Sequence, residues 1–578
     1  MAGELKSKAL KGAKLGLALA LVHFCADLLS AFLAIGFLFD PRPGSFALLA
    51  VAALSSALIG TTLGGLLGAL WPAKLRFRLS LPVQVLAATL LFVGIVISGY
   101  TLRASRHLDP LPERPALSAE KQRPPVLWVV MDTLRADALH GDNLNFPYAP
   151  NLGKFAQKAI VFKDAESSAG WTIPAMATLL TGIHNTTTDA SSGVLPRWTH
   201  TFAEYLYADG YATHALVDNA IVEPRVGFAQ GYESYFQRNG FRFAFSLPAF
   251  RVLGDDIHNR LREMSGVAYY GSKGLTDKAL EHLEAKRQAP LFLYVHYMDP
   301  HAPYYAHPEL TQDPAESEDI NFYQARNRLR RDIHPQPSAG QLKRLTHRYN
   351  HEIMAMDQDI GRLLAAWKKQ FGDEGLILLT SDHGEEFLDR GRLSHSHSVH
   401  RELVHVPLLM QFPQETQGAL NTARVLDEPL HHIDVLPTML DYLQIKERHA
   451  PPYPQMPGVS ILAALRENIP FVPRPMVSSH SRLGKRTYRY RDGDHVYIKD
   501  MYYDGRPTEQ HLYFLEQDPT EQNNLIANQD ALQASDFKAL SAVFEKRARA
   551  LVQMGKGFDV ANEESANIES LRALGYVH

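Results

Sequence analysis

Two acidic residues and a histidine follow apolar runs in this sequence. VLWVVM at 126–131 leads into Asp132, and LILLTS at 376–381 leads into Asp382, His383 and Gly384. In an open α/β sheet the ligand crevice lies beyond the carboxyl ends of the strands, so both acidic residues arrive where a site is expected. Carboxylates with an imidazole form a ligand set for one divalent cation: Zn, Mn, Mg or Ca. An isolated Asp-His-Gly is more often a turn. A second strand-end carboxylate raises the metal reading above that background.

The third element is Gly170-Trp171-Thr172-Ile173-Pro174, leading into AMATLLTG. Thr172 is expected as a helix N-cap, with Pro174 in the first turn, where a missing N–H costs little. The helix start would aim backbone N–H groups and a positive dipole end at whatever Thr172 faces, which suits a tetrahedral oxyanion. A hydroxyl is a poor nucleophile at neutral pH, and a cation held by Asp132, Asp382, His383 and Thr172 itself would activate it.

The elements that must position these groups follow from the patterning. Short apolar runs at 126–131, 291–298 and 376–380 alternate with amphipathic segments such as LTDKALEHLEAKR and YNHEIMAMDQDIGRLLAAWKKQ. That alternation predicts an α/β fold with a mainly parallel sheet covered by helices. The aromatic-rich TYRYRDGDHVYIKD and QHLYFLEQD predict a small antiparallel sheet after about Pro475.

Three apolar stretches open the chain, Leu15 to Phe39, Ser45 to Trp71 and Leu79 to Tyr100. Each approaches or exceeds the ~20 residues a helix needs to cross a bilayer, so three transmembrane helices are expected. Lys6, Lys8, Lys11 and Lys14 precede the first stretch, and Lys74, Arg76 and Arg78 fill the second loop. By the positive-inside rule these segments are cytoplasmic. The chain after Tyr100 would then face the periplasm or cell exterior from a multi-pass inner (cytoplasmic) membrane anchor, with the lipid bilayer as a partner. His23 and Asp27 share a face of the first stretch, where ionisable groups are functional candidates by default; the plainer reading is a polar pair that pins helices together or faces a small wet cavity, and Gly60, Gly64 and Gly68 read as a close packing face. The expected organisation is a transmembrane module at 1–100, a linker at 101–124, a catalytic domain at 125–475 and a C-terminal α+β subdomain at 476–578.

A formal net charge of −3 over 578 residues carries no polycationic signal and argues against nucleic acid as a partner. Cys25 is the only cysteine, which excludes an intrachain disulfide, a zinc-thiolate cluster and a soluble thiol nucleophile.

Longer blocks carry a family resemblance. VLWVVMDTLRADAL, APNLGKFAQKAIVFKDAES and WTIPAMATLLTG resemble the opening of sulfatase-family domains of the alkaline phosphatase superfamily. TFAEYLYADGYATHALVDN, LFLYVHYMDPHAPY, LILLTSDHGEEF, HSHSVHRELVHVPLL, HHIDVLPTMLDYL and LRALGYV are similar to its later blocks in order, across about 125–578. The resemblance implies an alkaline-phosphatase-like fold, with Asp132, Asp382 and His383 as metal ligands and Thr172 as nucleophile. It implies that His296, His301 and His395 hold ester oxygens or protonate the leaving group, and that Asn219 binds substrate. His397, His400 and His405 keep the reading of ordinary satisfied imidazoles.

Three departures bear on the chemistry. Sulfate-ester hydrolases of the family convert a Cys or Ser to formylglycine inside Cys/Ser-x-Pro-Ser-Arg; here the stretch is Thr172-Ile173-Pro174-Ala175-Met176, and threonine cannot yield that aldehyde. Thr133 stands where many members have a second metal-binding Asp, and Val217-Asp218-Asn219 replaces Gly-Lys-Trp-His. What remains resembles the threonine-nucleophile branch, the lipid-linked phosphoethanolamine and phosphoglycerol transferases. The expectation is a membrane-bound, one-metal hydrolase or transferase acting on phosphate rather than sulfate esters of a lipid or envelope glycan. The alternatives are a non-catalytic lipid-sensing protein that keeps the fold and, third, a genuine sulfatase. A two-metal site drawing on Asp299, His301 and His395 has unconvincing spacing.

Overall fold

The computed structural model describes residues 111–115, 123–139, 141–188, 194–219, 221–237, 271–302, 337–414, 418–446 and 456–526, with isolated positions at 304, 310, 542, 543 and 546. They fall within one compact unit, Leu108–Asp559.

Fully buried apolar runs become the inner strands of the main sheet. Its strands are β1 (Val126–Met131), β2 (Ile160–Glu166), β3 (Ala212–Val217), β4 (Ser234–Gln237), β5 (Leu291–Tyr297) and β6 (Leu376–Ser381). A small hairpin, β7 (Glu386–Phe387) with β8 (Leu393–Ser394), is followed by β9 (His405–Gln411), β10 (Arg424–Leu426) and β11 (Leu430–His431). The order is β10-β2-β9-β6-β1-β5-β3-β4, with β11 also on β2. β1 runs parallel to both β5 and β6, pairing Met131 with Tyr297 and with Ser381. The shared register brings Asp132 and Asp382 out together at one edge. β9 is the antiparallel member, between β2 and β6.

Helices cover the sheet, among them α1 (Pro150–Ala156), α2 (Thr172–Thr181), α3 (Phe202–Ala208), α4 (Gly271–Glu284), α5 (Ala339–Phe371) and α6 (Val435–Tyr442). Trp128, Phe202 and Phe292 meet edge to face at 5.1 and 5.2 Å, joining α3 to the sheet. Asp357 on α5 accepts the backbone N–H groups of Asn151 and Leu152 at 2.9 and 2.8 Å, capping the start of α1 from another helix.

The predicted antiparallel sheet is present as β12 (Met476–Arg482), β13 (Lys485–Asp492), β14 (His495–Tyr502) and β15 (Glu509–Phe514), in sequential order. It is bolted to the main sheet by buried charge. Arg489, fully buried, donates to Glu166 at 2.9 Å and Glu521 at 2.6 Å, and Arg491 donates to Glu166 at 2.8 Å. Burial pushes the Glu166 carboxyl up, but Arg489, Arg491 and Arg401 outweigh it and hold it well below the usual carboxylate range.

The membrane-anchored reading is corrected. Among the described residues no helix is long and apolar enough to cross a membrane. The longest described helix, α5, has 33 residues, but Arg344, Arg348, Glu352, Asp357, Asp359 and Arg362 along it give it the pattern of a helix lying on a sheet. The stretches expected as spans, with His23, Asp27, Gly60, Gly64 and Gly68, lie outside the described residues. The supported description is therefore the α/β sheet-and-helix fold alone. The three N-terminal transmembrane helices, the inner-membrane multi-pass location, the bilayer as partner and the membrane-bound activity find no support among the described residues.

Candidate active site

Asp132 and Asp382 follow adjacent parallel strands, and both are fully buried. Their side chains are oriented by neighbours that each use one oxygen. Asp382 Oδ1 accepts the backbone N–H groups of Thr133 at 3.1 Å and His383 at 2.8 Å. Asp132 Oδ2 accepts the Asn219 side-chain amide, whose own oxygen takes the Ile221 N–H at 2.8 Å and so fixes which way the amide points. Asp132 Oδ1 and Asp382 Oδ2 are left buried with no hydrogen-bond partner.

His383 completes the group. Its Nδ1–H donates to the Gly384 carbonyl at 2.8 Å, which leaves the Nε2 lone pair facing inward. Nε2 lies 3.4 Å from Asp382 Oδ2 and 4.0 Å from Asp132 Oδ1, and one ligand atom from each of the three residues falls within 4.8 Å of the others. Two partnerless buried carboxylate oxygens facing one imidazole lone pair fit a divalent cation. Without one, burial and then the neighbouring Asp382 charge push the Asp132 carboxyl well above its usual range. A second cluster, Asp500, Glu509 and His511, also has metal-like spacing. It is weaker, because Asp500 already pairs with Lys485 and Glu509 is exposed.

Thr172 is not the N-cap expected from sequence. Trp171 takes that place, in extended conformation (φ −166°, ψ 160°), and Thr172 is the first residue of α2. The difference matters chemically: Thr172 Oγ1 is not spent on capping and lies 3.2 Å from His383 Nε2. With the His383 tautomer fixed by Gly384, the hydroxyl is the donor in that pair.

The remaining candidates adjoin this centre. His296, fully buried at the end of β5, places Nε2 3.5 Å from Asp132 Oδ2, and burial pushes it down to about 4. The His395 ring stands 4.5 Å from that of His383, and the His301 ring 5.0 Å from that of His395. The structure thus gathers all eight residues named from sequence, with Asn219 against a carboxylate rather than an open space. His397, His400 and His405 meet Glu386 at 2.6 Å, Tyr513 at 3.2 Å and the Lys163 carbonyl at 2.9 Å.

Glu385 escaped the sequence reading. Its fully buried carboxylate accepts His395 Nδ1–H at 2.9 Å and the Tyr304 hydroxyl at 2.8 Å. The Glu-Glu pair after Asp-His-Gly held the signal, but nothing in the spacing distinguished Glu385 from Glu386. β12 also lies against the segment before Thr172, through Ser479 N–H on the Ser168 carbonyl and Ser478 Oγ on the Ser167 carbonyl. Arg482 lies over the Trp171 ring at 4.1 Å.

Residues 124–445 match the sulfatase family. The chain is 23% identical over 372 residues to the uncharacterized sulfatase YidJ of Escherichia coli (strain K12), covering 59% of this chain and 71% of that protein. It is also 23% identical over 460 residues to the choline-sulfatase of Rhizobium meliloti (strain 1021), covering 70% and 83%. The fold is similar to the phosphonate monoester hydrolase SpPMH from Silicibacter pomeroyi, with a TM-score of 0.58, 19% identity, and coverage of 74% of this chain and 96% of that one. The matched segment spans more than half the chain and contains Asp132, Thr172, Asp382 and His383, so this protein belongs to the sulfatase family.

Proposed function

We propose that this protein is a metal-dependent hydrolase that cleaves phosphate esters in preference to sulfate esters, with Thr172 as nucleophile. Family membership and the Asp132–Asp382–His383 cluster support the hydrolase reading. The preference for phosphate rests on threonine, which cannot become the aldehyde hydrate used on sulfate esters. The observation that carries the assignment is the 3.2 Å approach of Thr172 Oγ1 to His383 Nε2, beside two partnerless carboxylate oxygens.

Asp132, Asp382, His383 and Thr172 would hold one divalent ion. When bound it would supply Lewis-acid charge that lowers the hydroxyl pKa and neutralises nonbridging oxygens. In the proposed reaction Thr172, its hydroxyl proton released to solvent, bonds through Oγ1 to phosphorus as the bond to the ester oxygen breaks, giving a phospho-threonine and an alkoxide. A protonated His395, held through Nδ1 by Glu385 and with His301 beside it, gives the alkoxide its proton. Water then attacks phosphorus and gives one proton to His395, the Thr172 oxygen leaves and takes back a proton from solvent, and phosphate is released. The Asn219 amide keeps the Asp132 carboxylate in place, with His296 Nε2 3.5 Å from the same oxygen.

The test compares p-nitrophenyl phosphate, phosphodiester and sulfate across Mn²⁺, Zn²⁺, Mg²⁺ and Ca²⁺, with mass spectrometry of the Thr172 peptide after acid quench. A phosphorylated Thr172, with faster turnover of phosphate than sulfate, supports the reading. Faster sulfate release, or undiminished turnover by Thr172→Ala, overturns it.

A further inference from the structure

The strand that carries His296 also carries its partner. Tyr294 and His296 stand two positions apart on β5 and so share one face, and the Tyr294 hydroxyl lies 3.0 Å from His296 Nδ1. At the far side of the ring, Nε2 lies 3.5 Å from Asp132 Oδ2 and has no hydrogen-bond partner. Tyr294 is 1% exposed and His296 is fully buried, so neither ring can turn to bulk water for what it lacks. Asp132 Oδ2 already accepts the Asn219 amide, while Asp132 Oδ1 is partnerless.

Which member of the tyrosine–histidine pair donates decides what His296 offers the site. Among the described residues the Tyr294 hydroxyl has His296 Nδ1 as its one hydrogen-bond partner. Were the hydroxyl to accept from Nδ1–H, its own proton would be buried without an acceptor, and the bare Nε2 lone pair would face a carboxylate oxygen 3.5 Å away. Were it to donate, a single group would be left unmet, the Nε2–H, and that proton would lie beside an oxygen that attracts it. Burial, with neighbouring tyrosines and carboxylates adding to it, pushes the Tyr294 phenol well above its usual range, so the proton needed for donation stays on oxygen. Donation by Tyr294 is the satisfied arrangement.

A ring so fixed is neutral, with its one lone pair spent at Nδ1. It has none to give a cation through Nε2 and no second proton to hand to a leaving group, which leaves that step to His395. The contrast with His383 lies in the partner of Nδ1. The Gly384 carbonyl takes Nδ1–H of His383 and bares its Nε2 lone pair, whereas the Tyr294 hydroxyl supplies a proton to Nδ1 of His296 and so keeps hydrogen on Nε2. The cluster closes without His296, since one ligand atom from each of Asp132, Asp382 and His383 falls within 4.8 Å of the others.

We propose that Tyr294 is a positioning residue: its hydroxyl fixes His296 as the Nε2–H tautomer, which makes His296 a hydrogen-bond donor beside Asp132 Oδ2 and bars it from the metal. Oδ1 is then the Asp132 oxygen left for an ion. This rests on the reading of Asp132, Asp382 and His383 as the metal ligands.

Measurements on the full chain test it without reference to turnover. Long-range proton–nitrogen correlation of histidine-labelled protein in EDTA should show His296, identified by the resonance missing from His296→Gln, protonated at Nε2 alone. In Tyr294→Phe that pattern should give way to a mixture of tautomers. Added Zn²⁺ should move the His383 resonances and leave the His296 pattern in place. Zn²⁺ affinity, read calorimetrically as the site lost in Asp382→Asn, should stay within about threefold of wild type in His296→Gln, whose amide N–H stands in for Nε2–H, and fall at least about tenfold in His296→Leu. A wild-type His296 protonated at Nδ1, or a Gln variant as weak as the Leu variant, overturns the proposal. Should His296→Gln fail to fold, a histidine spectrum unchanged by Tyr294→Phe does the same. His383 resonances that ignore Zn²⁺ while His296 keeps Nε2–H would uphold the tautomer and sink the metal-ligand reading instead.

Discussion

His395 Nδ1–H donates to Glu385 Oε1 at 2.9 Å, and the Tyr304 hydroxyl holds the other carboxylate oxygen at 2.8 Å. This fixes the imidazole orientation, as a proton donor to the leaving group requires. Glu385→Gln should lower kcat about 10- to 100-fold for an alkyl phosphate ester. The loss should be much smaller for p-nitrophenyl phosphate, whose leaving group needs little protonation. An equal loss on both esters would remove His395 from the proton-transfer role.

Gly170 sets the spacing between the nucleophile segment and the histidine loop. A Cβ there would sit 2.3 Å from the Ser398 carbonyl oxygen and 3.3 Å from Leu403 Cβ, while Ser396 N–H donates to the Gly170 carbonyl at 2.9 Å. Gly170→Ala must push Thr172 and His395 apart. A displacement of about 1 Å at reacting groups costs on the order of 100-fold. Steady-state kinetics should show that loss in kcat, with the far-UV spectrum unchanged.

Metal removal should reveal the strain between the two carboxylates. Asp132 is held well above its usual range by burial and by Asp382, so the folded chain keeps a proton that the unfolded chain releases. Its contribution therefore favours folding below the unfolded pKa of about 3.9 and is lost as pH rises through the folded value. In EDTA, Asp132→Asn should melt above the wild type at pH 7.5, with the gap closing toward pH 4. Saturating divalent ion should reverse the order. A variant that melts below the wild type in EDTA at both pH values would show that the carboxylate is not under strain.

Buried imidazoles behind the site set an acid limit on stability. Burial pushes His184 and His432 down to about 4 and His431 to about 3, and His184 stacks on His431 at 6.5 Å. Each takes up a proton in the unfolded chain below about 6.5 but resists doing so when folded, so stability is present above that pH and lost as pH falls toward 4. Each buried imidazole contributes up to about 1.4 kcal/mol per pH unit in that window. Denaturant unfolding between pH 7.5 and 5 should show this decline, and His432→Asn should flatten it. A curve of identical slope in the variant would assign the acid limit to other groups.

The metal cluster was legible because it follows from where strands end. Asp132 and Asp382–His383 trail uninterrupted apolar runs, and a parallel pairing with matched register leaves little freedom about where the next side chains go. Thr172 was placed one position too early because Thr is a better cap than Trp by propensity; tertiary pairing with His383 overrides that preference. β9 lay within a recognised block, yet its antiparallel direction depends on a short return after Val404 that periodicity does not encode. The seat of β12 was invisible for a different reason. β12 docks on Ser168, a contact between segments more than 300 residues apart in sequence, for which a single chain offers no local cue.

The hydrogen bonds from Ser478 and Ser479 to Ser167 and Ser168 also impose an order of events during synthesis. The ribosome makes Thr172 and its ligand partners first, at about 5–20 residues per second, and the parallel strands have emerged well before the strand that walls them in. Throughout that interval the nascent crevice lacks the side reached by β12. Arrest peptides placed before and after Met476 should trap chains that differ in protease sensitivity around Ser167 and Ser168 even though both already possess the central sheet.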